Sequence, residues 1–164
     1  MMKGSPKKYW QIAEYTVPKV MIRELKYDLG ELSNLGNLEI LVQIPQTYFL
    51  SDLFVNAPKQ KYGLKAVVSC HKSEGHDEIL YSTYIKQIVY DMPKWKKFQD
   101  SSSIKIIQDW KRVAQTMLLS REFPHLLVYQ AIDPANHELL DTKEKLPKGF
   151  VKTLVDKAKI QDEK

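Results

Sequence analysis

The chain has 164 residues, of which 43% are apolar and 27% are charged, and its formal net charge is +5. These values lie close to the averages of folded globular domains, so they exclude disordered, collagen-like and low-complexity chains, and the charge is weaker than that of dedicated nucleic-acid-binding proteins. The single cysteine excludes an internal disulfide and a four-cysteine zinc site.

Membrane and targeting signals are not found in the sequence. No apolar run approaches the roughly 20 residues that a transmembrane helix needs. The N-terminus is basic, but the apolar segment of a signal peptide does not follow it. We therefore expect an intracellular chain, cytoplasmic or nuclear, without a membrane partner.

The first third of the chain is predicted to form short strands. In chain order we expect a basic lead-in at 1–8, a packed segment around Trp10 that ends at Pro18, a strand at 20–25, a turn rich in glycine and asparagine at 28–37, a strand at 38–44 and a short apolar segment at 49–54. The strand at 38–44 is predicted because its apolar residues recur at every second position, before Pro45 ends it.

The rest of the chain mixes strands and helices. Valine, isoleucine and tyrosine dominate residues 62–70 and 79–90, which predicts two strands joined into a hairpin by the polar stretch 71–78. A strand at 95–98, a helix within 103–119 that Pro124 terminates, a strand at 126–131 and a C-terminal amphipathic helix from about Phe150 follow. This order predicts an α+β domain with a mostly antiparallel sheet and a few helices.

Several polar clusters contain residue types that occur in chemical sites. Cys70 and His71 are neighbours, but neighbouring strand residues point to opposite faces, so a buried cysteine is favoured over a nucleophile and its base. Metal binding by Cys70, His71, Glu74, His76, Asp77 and Glu78 is disfavoured because their spacing matches no established site, and we expect no metal or cofactor.

Two further groups have structural interpretations. Trp95 with Lys94, Lys96 and Lys97 could bind RNA by stacking and phosphate contacts, but an edge strand with lysines facing water is favoured. In the predicted helix, Trp110, Val113 and Met117 are expected in the core, and Asp109 with Arg112 as a surface ion pair. Nucleic-acid binding is therefore only a weak alternative.

The order of several motifs resembles the ubiquitin-specific protease family. The segments that carry the resemblance are PKVMIRELKYD from Pro18, LEILVQIP from Leu38, YFLSDLF from Tyr48, YGLKAVVSCHKSEGHDEILYSTYI from Tyr62, WKKFQDSSSI from Trp95 and PHLLVYQ from Pro124. IQDWKRVAQTML from Ile107 is most similar to the family's inactive branch. The resemblance implies a papain-like palm domain at 18–131, preceded by a lead-in at 1–17 and followed by an extension at 132–164.

The resemblance also implies which residues occupy the catalytic positions. The family is a cysteine peptidase that cleaves after the C-terminus of ubiquitin, and its nucleophile lies in an N-terminal half without a counterpart here. The favoured alignment places Leu80 at the position of the base and Gln99, beside Asp100, at the position of the residue that orients it. A competing alignment makes His76 the base. Leucine accepts no proton and glutamine carries no charge, so we expect no catalysis.

These implications lead to a non-catalytic scaffold or interaction subunit of a larger protein assembly. The alternative is one half of a split or longer deubiquitinase, with His76 as base and Asp100 as orienter. Retained ubiquitin binding is disfavoured because the tail of ubiquitin is basic and the chain carries +5. Half of a two-lobed fold should also expose an apolar face, which a partner, a second copy or local groups would cover. The local candidates are Tyr9, Trp10, Tyr48, Phe49 and the C-terminal helix.

Overall fold

The computed structural model describes residues 17–29, 32–73, 75, 77–90, 92–100, 103–133 and 146–163. In these ranges the elements are, in chain order, β1 (Val20–Glu24), α1 (Asn34–Gln43), β2 (Thr47–Phe49), α2 (Leu50–Leu53), β3 (Lys61–Lys72), β4 (Ile79–Val89), β5 (Met92–Asp100), β6 (Ser103–Ile107), α3 (Trp110–Leu119), β7 (Phe123–Ala131) and α4 (Lys148–Asp162). The packed segment predicted around Trp10 lies almost wholly outside the described residues. None of the described helices is both long enough and apolar enough to cross a bilayer.

The strands form one antiparallel sheet in the order β1-β7-β3-β4-β5-β6, and β2 pairs with the start of β3. The predicted hairpin is confirmed as β3 and β4, and the predicted strands at 95–98 and 126–131 are confirmed within β5 and β7. The C-terminal helix is also confirmed, as α4. The α+β class with a mostly antiparallel sheet is therefore correct.

The hydrophobic core lies on one side of the sheet, which we call the inner face. There, buried residues of α1, α3 and α4 pack against the strands. On α3 the side chains of Trp110, Val113 and Met117 are buried, as their helical spacing predicts. The strand residues in this core are Tyr62, Leu64, Val67, Tyr84, Trp95, Ile107, Leu127 and Tyr129.

The strand predicted at 38–44 is wrong, because these residues belong to helix α1. Its buried residues are Asn34, Asn37, Leu38 and Leu41, a helical spacing rather than an alternating one. Ser33 caps the helix by accepting a hydrogen bond from the backbone N–H of Gly36 at 3.0 Å. The predicted turn at 28–37 therefore ends before Asn34.

Two boundaries further along the chain also differ from prediction. Residues 103–107 form strand β6, so only Trp110–Leu119 of the segment 103–119 is helical. Pro124 does not end that helix but lies inside β7. Asp109 and Arg112 serve the helix as a cap, since the Asp109 carboxylate accepts a hydrogen bond from the backbone N–H of Arg112 at 2.9 Å.

The other side of the sheet, which we call the outer face, carries two complete rows of side chains. Strand pairing places the members of each row opposite one another from β1 to β6, and none of them is fully buried or part of the core. Apart from Glu24, Lys96 and Thr83, every row position is apolar. The first row is Ile22, Val128, Ala66, Ile85, Lys96 and Ile106, and the second is Glu24, Leu126, Val68, Thr83, Phe98 and Ile104.

Two of the local groups predicted to cover an apolar face, Tyr48 and helix α4, pack on the inner face instead. Tyr48 packs on the inner side, where its ring lies 5.3 Å from Tyr62 and 4.7 Å from Tyr129. Helix α4 packs there too, through buried Leu154 and Ala158. Tyr9 and Trp10 lie outside the described residues.

Candidate functional site

Leu80 occupies the position that the resemblance assigns to the general base. It lies near the start of β4, directly opposite His71 of β3, and is 40% exposed. Because alternate strand residues share a face, Leu80 lies on the inner face together with buried Ser82 and Tyr84. A hydrocarbon side chain accepts no proton, so this position carries no base.

Gln99 is exposed and lies on β5, the strand next to that of Leu80. The β4–β5 ladder ends at the pair of Thr83 and Phe98, and Gln99 lies in the irregular step of the β5–β6 ladder between Phe98 and Asp100. Leu80 and Gln99 therefore lie on adjacent strands at the same end of the β4–β5 hairpin. This end of the sheet carries a hydrocarbon and a neutral amide at the two positions.

Of the competing pair of His76 and Asp100, only Asp100 lies within the described residues. His76 lies outside the described residues. Asp100 ends β5, where its backbone pairs with Ser103 after an irregularity in the ladder, and its side chain is not described. A base at His76 with Asp100 as orienter remains a prediction.

Cys70 lies on the opposite side of the sheet from Leu80. It is buried and free, and its Sγ contacts the carbonyl oxygen of Phe123 at 3.6 Å. Burial raises the pKa of its thiol, although a hydrogen bond with Tyr27 acts in the other direction. The prediction of a buried strand cysteine is confirmed, and a nucleophile–base pair with His71 is excluded because the two residues face opposite sides.

His71 is the one histidine of the described residues that lies beside the base position. It is half-buried on the inner face opposite Leu80, and its Nδ1 atom is buried without a hydrogen-bond partner in the described part of the chain. From the sequence, His71 was a candidate only as the base of Cys70 and as a ligand in the disfavoured metal cluster. Strand alternation alone places His71 on the face opposite to Cys70, but only the β3–β4 register shows that it lies beside position 80.

A buried charge network adjoins these positions on the inner face and was not predicted. Glu122, which is 1% exposed, forms an ion pair with Lys97 in which Nζ and Oε2 are 2.6 Å apart. The same carboxylate accepts hydrogen bonds from the hydroxyls of Ser69 at 2.7 Å and Tyr84 at 3.2 Å. Burial and, second, the Glu122 charge raise the pKa of Tyr84. The network ties β3, β4, β5 and the start of β7 together.

Two features hold Glu122 in place between α3 and β7. Its backbone N–H donates to the carbonyl of Met117 at 2.8 Å, after Arg121 has turned the chain with a φ of 53°. Its own carbonyl accepts a hydrogen bond from the side-chain amide of buried Asn37 at 2.8 Å. The backbone of Glu122 is therefore held by α3 and by α1, which limits the conformational freedom that forming the ion pair must remove.

Comparisons with known proteins identify the fold. Neither a family model nor a curated protein matches the sequence. Among solved structures, the Pan2 pseudoubiquitin hydrolase–RNA exonuclease module of Saccharomyces cerevisiae matches with a TM-score of 0.52 and 19% identity over 84% of this chain and 23% of that one. The same module in complex with AAGGA RNA gives a TM-score of 0.53 and 18% identity over 77% and 22%.

A third match is the SAGA Ubp8/Sgf11/Sus1/Sgf73 DUB module, with a TM-score of 0.47 and 21% identity over 71% of this chain and 24% of that one.

The fold is deubiquitinase-like.

The chain spans less than a quarter of the chains it matches, and the low identity makes this a similarity of fold.

The interpretation of Lys94, Lys96 and Lys97 as water-facing residues of an edge strand is wrong for Lys97. Strand β5 is not an edge, because it pairs with β4 and with β6, and Lys97 is buried against Glu122. Trp95 is 1% exposed and its ring lies 5.6 Å from that of Trp110. A buried indole cannot stack on a nucleic-acid base, so this group does not form the RNA site considered above.

Other possible sites lie elsewhere or are incomplete. No group of three or more His, Cys, Asp and Glu side chains in the described ranges could hold a metal ion, and Asp77 instead lies 3.4 Å from Lys72. A cavity of about 280 Å³ is lined by residues 63–65 of β3 and 86–88 of β4. It lies at the end of β4 opposite to Leu80, so it is separate from the catalytic positions.

Proposed function

We propose that the chain is a non-catalytic, deubiquitinase-like interaction subunit of a larger intracellular protein assembly. The observation that carries this proposal is the pair Leu80 and Gln99, which lie on the adjacent strands β4 and β5, at the same end of their hairpin, where the resemblance puts the base and its orienter. Peptide hydrolysis by a cysteine needs a thiolate and a proton acceptor within about 3 Å of it. Neither group is present at these two positions.

The single cysteine does not replace the missing nucleophile. Cys70 is on the outer face, while Leu80 is on the inner face, so the backbone of the sheet lies between them. Its thiol is buried and its pKa is raised, which keeps it in the unreactive protonated form. These two facts support a domain that keeps its sheet without hydrolytic chemistry.

Two observations support an interaction role. The Pan2 module of S. cerevisiae is a pseudoubiquitin hydrolase joined to an RNA exonuclease, so this fold occurs without hydrolase function. In the present chain, no described element covers the two apolar rows of the outer face, although Tyr27 covers Cys70 and Phe123 beside them, and an exposed apolar surface of this kind favours protein partners. The positive net charge argues against ubiquitin as the preferred partner because the ubiquitin tail is also basic.

The activity test uses ubiquitin that carries a fluorogenic group at its C-terminus and ubiquitin that ends in a cysteine-reactive electrophile. We expect no release of the fluorophore above the buffer blank and no covalent adduct, with an active deubiquitinase as positive control. Turnover by the purified chain that is lost in Cys70→Ala would refute the proposal. Turnover only in the presence of co-purified partners, lost in His76→Ala and Asp100→Ala, would establish the split-enzyme alternative.

The assembly test is an intact-mass measurement on the native protein, isolated gently with the molecules that accompany it. We expect this chain together with unrelated protein subunits. Recovery of the chain alone at its own mass, without subunits, would contradict the assembly part of the proposal. A stable partner that presents a reactive cysteine would contradict the non-catalytic part.

A further inference from the structure

The outer face combines an apolar surface with one acidic and one basic residue at opposite ends. Glu24 stands on β1 and Lys96 on β5, and neither forms an ion pair or a hydrogen bond within the described part of the chain. The apolar ends of the rows are the most exposed, with Ile22 at 66% and Ile106 at 60%. A solvated sheet face normally alternates to polar residues, so this face is built to be covered.

We propose that the outer face forms the interface of a symmetric homodimer, in which two copies pack sheet against sheet. The occupant of the face is thus a second copy of this chain. This inference is independent of whether the chain catalyses a reaction, because it uses none of the inner-face positions.

The charge pattern selects one two-fold axis. This axis runs parallel to the strands, between β3 and β4. It places β1 of one copy over β6 of the other, and β7 over β5. Each of the two rows then packs on the same row of the partner. Ile22 then lies over the partner's Ile106, and Leu126 over the partner's Phe98. Glu24 lies diagonal to the partner's Lys96, within reach of two long side chains, and symmetry makes this contact twice.

The perpendicular in-plane axis gives a worse arrangement. It keeps each strand over its own copy and exchanges the two rows, so Lys96 would pack on the partner's Phe98 and Glu24 on the partner's Ile22. Both charges would then lie against apolar side chains without an opposite charge nearby. Pairing of the exposed edge strand β6 with its copy is also disfavoured. Antiparallel pairing about the centre of that strand would place Lys105 opposite the partner's Lys105, and like charges directly opposite are destabilising.

The size of the face predicts a reversible dimer. Six strands about 4.8 Å apart and about four residues of each strand cover roughly 29 Å by 14 Å, or about 400 Å² of flat footprint per copy. Side chains that protrude from it bring the total buried surface to about 1,000 Å², the lower limit of specific interfaces and well below that of permanent dimers. We therefore expect a Kd of the order of 10 μM.

The first experiment is sedimentation equilibrium of the full chain between about 1 and 200 μM, with circular dichroism of every variant. We expect a monomer–dimer equilibrium for the wild type. Ile22→Asp and Ile106→Asp should weaken dimerisation at least about tenfold, because each places two carboxylates into the apolar interface. Both side chains are exposed in the monomer, so folding should be preserved. Ile160→Asp on α4, also exposed at 56%, is the matched control and should dimerise like the wild type.

A charge exchange tests the proposed axis. Glu24→Lys and Lys96→Glu should each weaken the dimer about tenfold, and the double variant should return to within about threefold of the wild-type Kd, because the exchanged charges again face each other. A wild-type chain that stays monomeric at 200 μM would overturn the proposal. So would wild-type affinity in Ile22→Asp, a double variant no tighter than the singles, or a dimer that forms only after residues 1–16 are removed.

Discussion

The buried ion pair between Lys97 and Glu122 allows a quantitative prediction, since removing one partner leaves a charge in the core. Lys97→Met takes away the ammonium 2.6 Å from the carboxylate, which then keeps only the hydroxyls of Ser69 and Tyr84. Loss of one member of a buried pair costs about 3–5 kcal/mol. The two remaining hydrogen bonds place the expected loss near the lower end, at about 3 kcal/mol.

Urea denaturation followed by circular dichroism measures this loss of unfolding free energy. In a thermal melt of a chain of this length, the same loss should lower Tm by roughly 6–12 °C. Lys105→Met is the matched control, because Lys105 lies directly opposite Lys97 in the β5–β6 ladder but is exposed. It should change stability by less than about 0.5 kcal/mol.

The double variant Lys97→Met with Glu122→Gln distinguishes a paired charge from a merely well-packed side chain. Removal of both charges should recover most of the stability, with a coupling energy of at least about 2 kcal/mol in the double-mutant cycle. Additive losses, or a Lys97→Met variant as stable as the Lys105→Met control, would refute the reasoning and mean that Lys97 reaches water in the folded chain.

Three further predictions concern single residues. The Cys70 thiol should react with a disulfide reagent much more slowly in the native chain than in about 6 M guanidinium, and equal rates would contradict its burial. Tyr90 has a φ of 51° in the two-residue β4–β5 connection, so Tyr90→Asn should raise stability by about 0.5 kcal/mol in urea melts, whereas a loss would refute a left-handed turn there. Burial raises the pKa of Tyr84 and Tyr129 above the ordinary 10.0. The stability that these two protonated side chains give to the fold is therefore complete below about pH 10 and is lost as the pH rises further. Absorbance at 295 nm should therefore rise together with unfolding, and ionisation of these tyrosines before unfolding would contradict this.

The hairpin and the C-terminal strand could be predicted because their signals are local. In β3, β4 and β7, β-branched and aromatic residues form long runs, and the core spacing of Trp110, Val113 and Met117 identified α3. The alternation that places Cys70 and His71 on opposite faces is also a property of any strand. These features need no partner from a distant part of the chain.

Helix α1 could not be predicted in the same way. Five of the seven residues from Leu38 to Ile44 are apolar, so a period of two and a helical period both fit this stretch. What supports the helix is distant: the Asp162 carboxylate of α4 accepts hydrogen bonds from the backbone N–H groups of Asn34 at 2.9 Å and Leu35 at 3.2 Å. No local pattern contains that contact.

Only part of the candidate site could be predicted from the sequence, for the same reason. Leu80 and Gln99 followed from the motif resemblance, but the burial of Lys97 depends on Glu122, which belongs to a different part of the chain. Lys97 lies between Lys96 and Phe98 in sequence, and nothing there distinguishes it from a solvated lysine. The placement of positions 80 and 99 at the same end of the β4–β5 hairpin needed the register of the two strands.

The position of β7 in the sheet has a consequence for how the protein is made. It is the last strand of the described chain, yet it lies between β1 and β3. Gln130 of β7 pairs with both Val20 and Gly63, so neither residue can form this pair until Gln130 has been synthesised. While the ribosome is still synthesising α3, β1 has no neighbour and one long edge of β3 is unpaired. Closure of such distant pairs is slow, so the pairing of β1 and of this edge of β3 is completed only after β7 has emerged, while the strands from β3 to β6 pair through local connections and can form earlier.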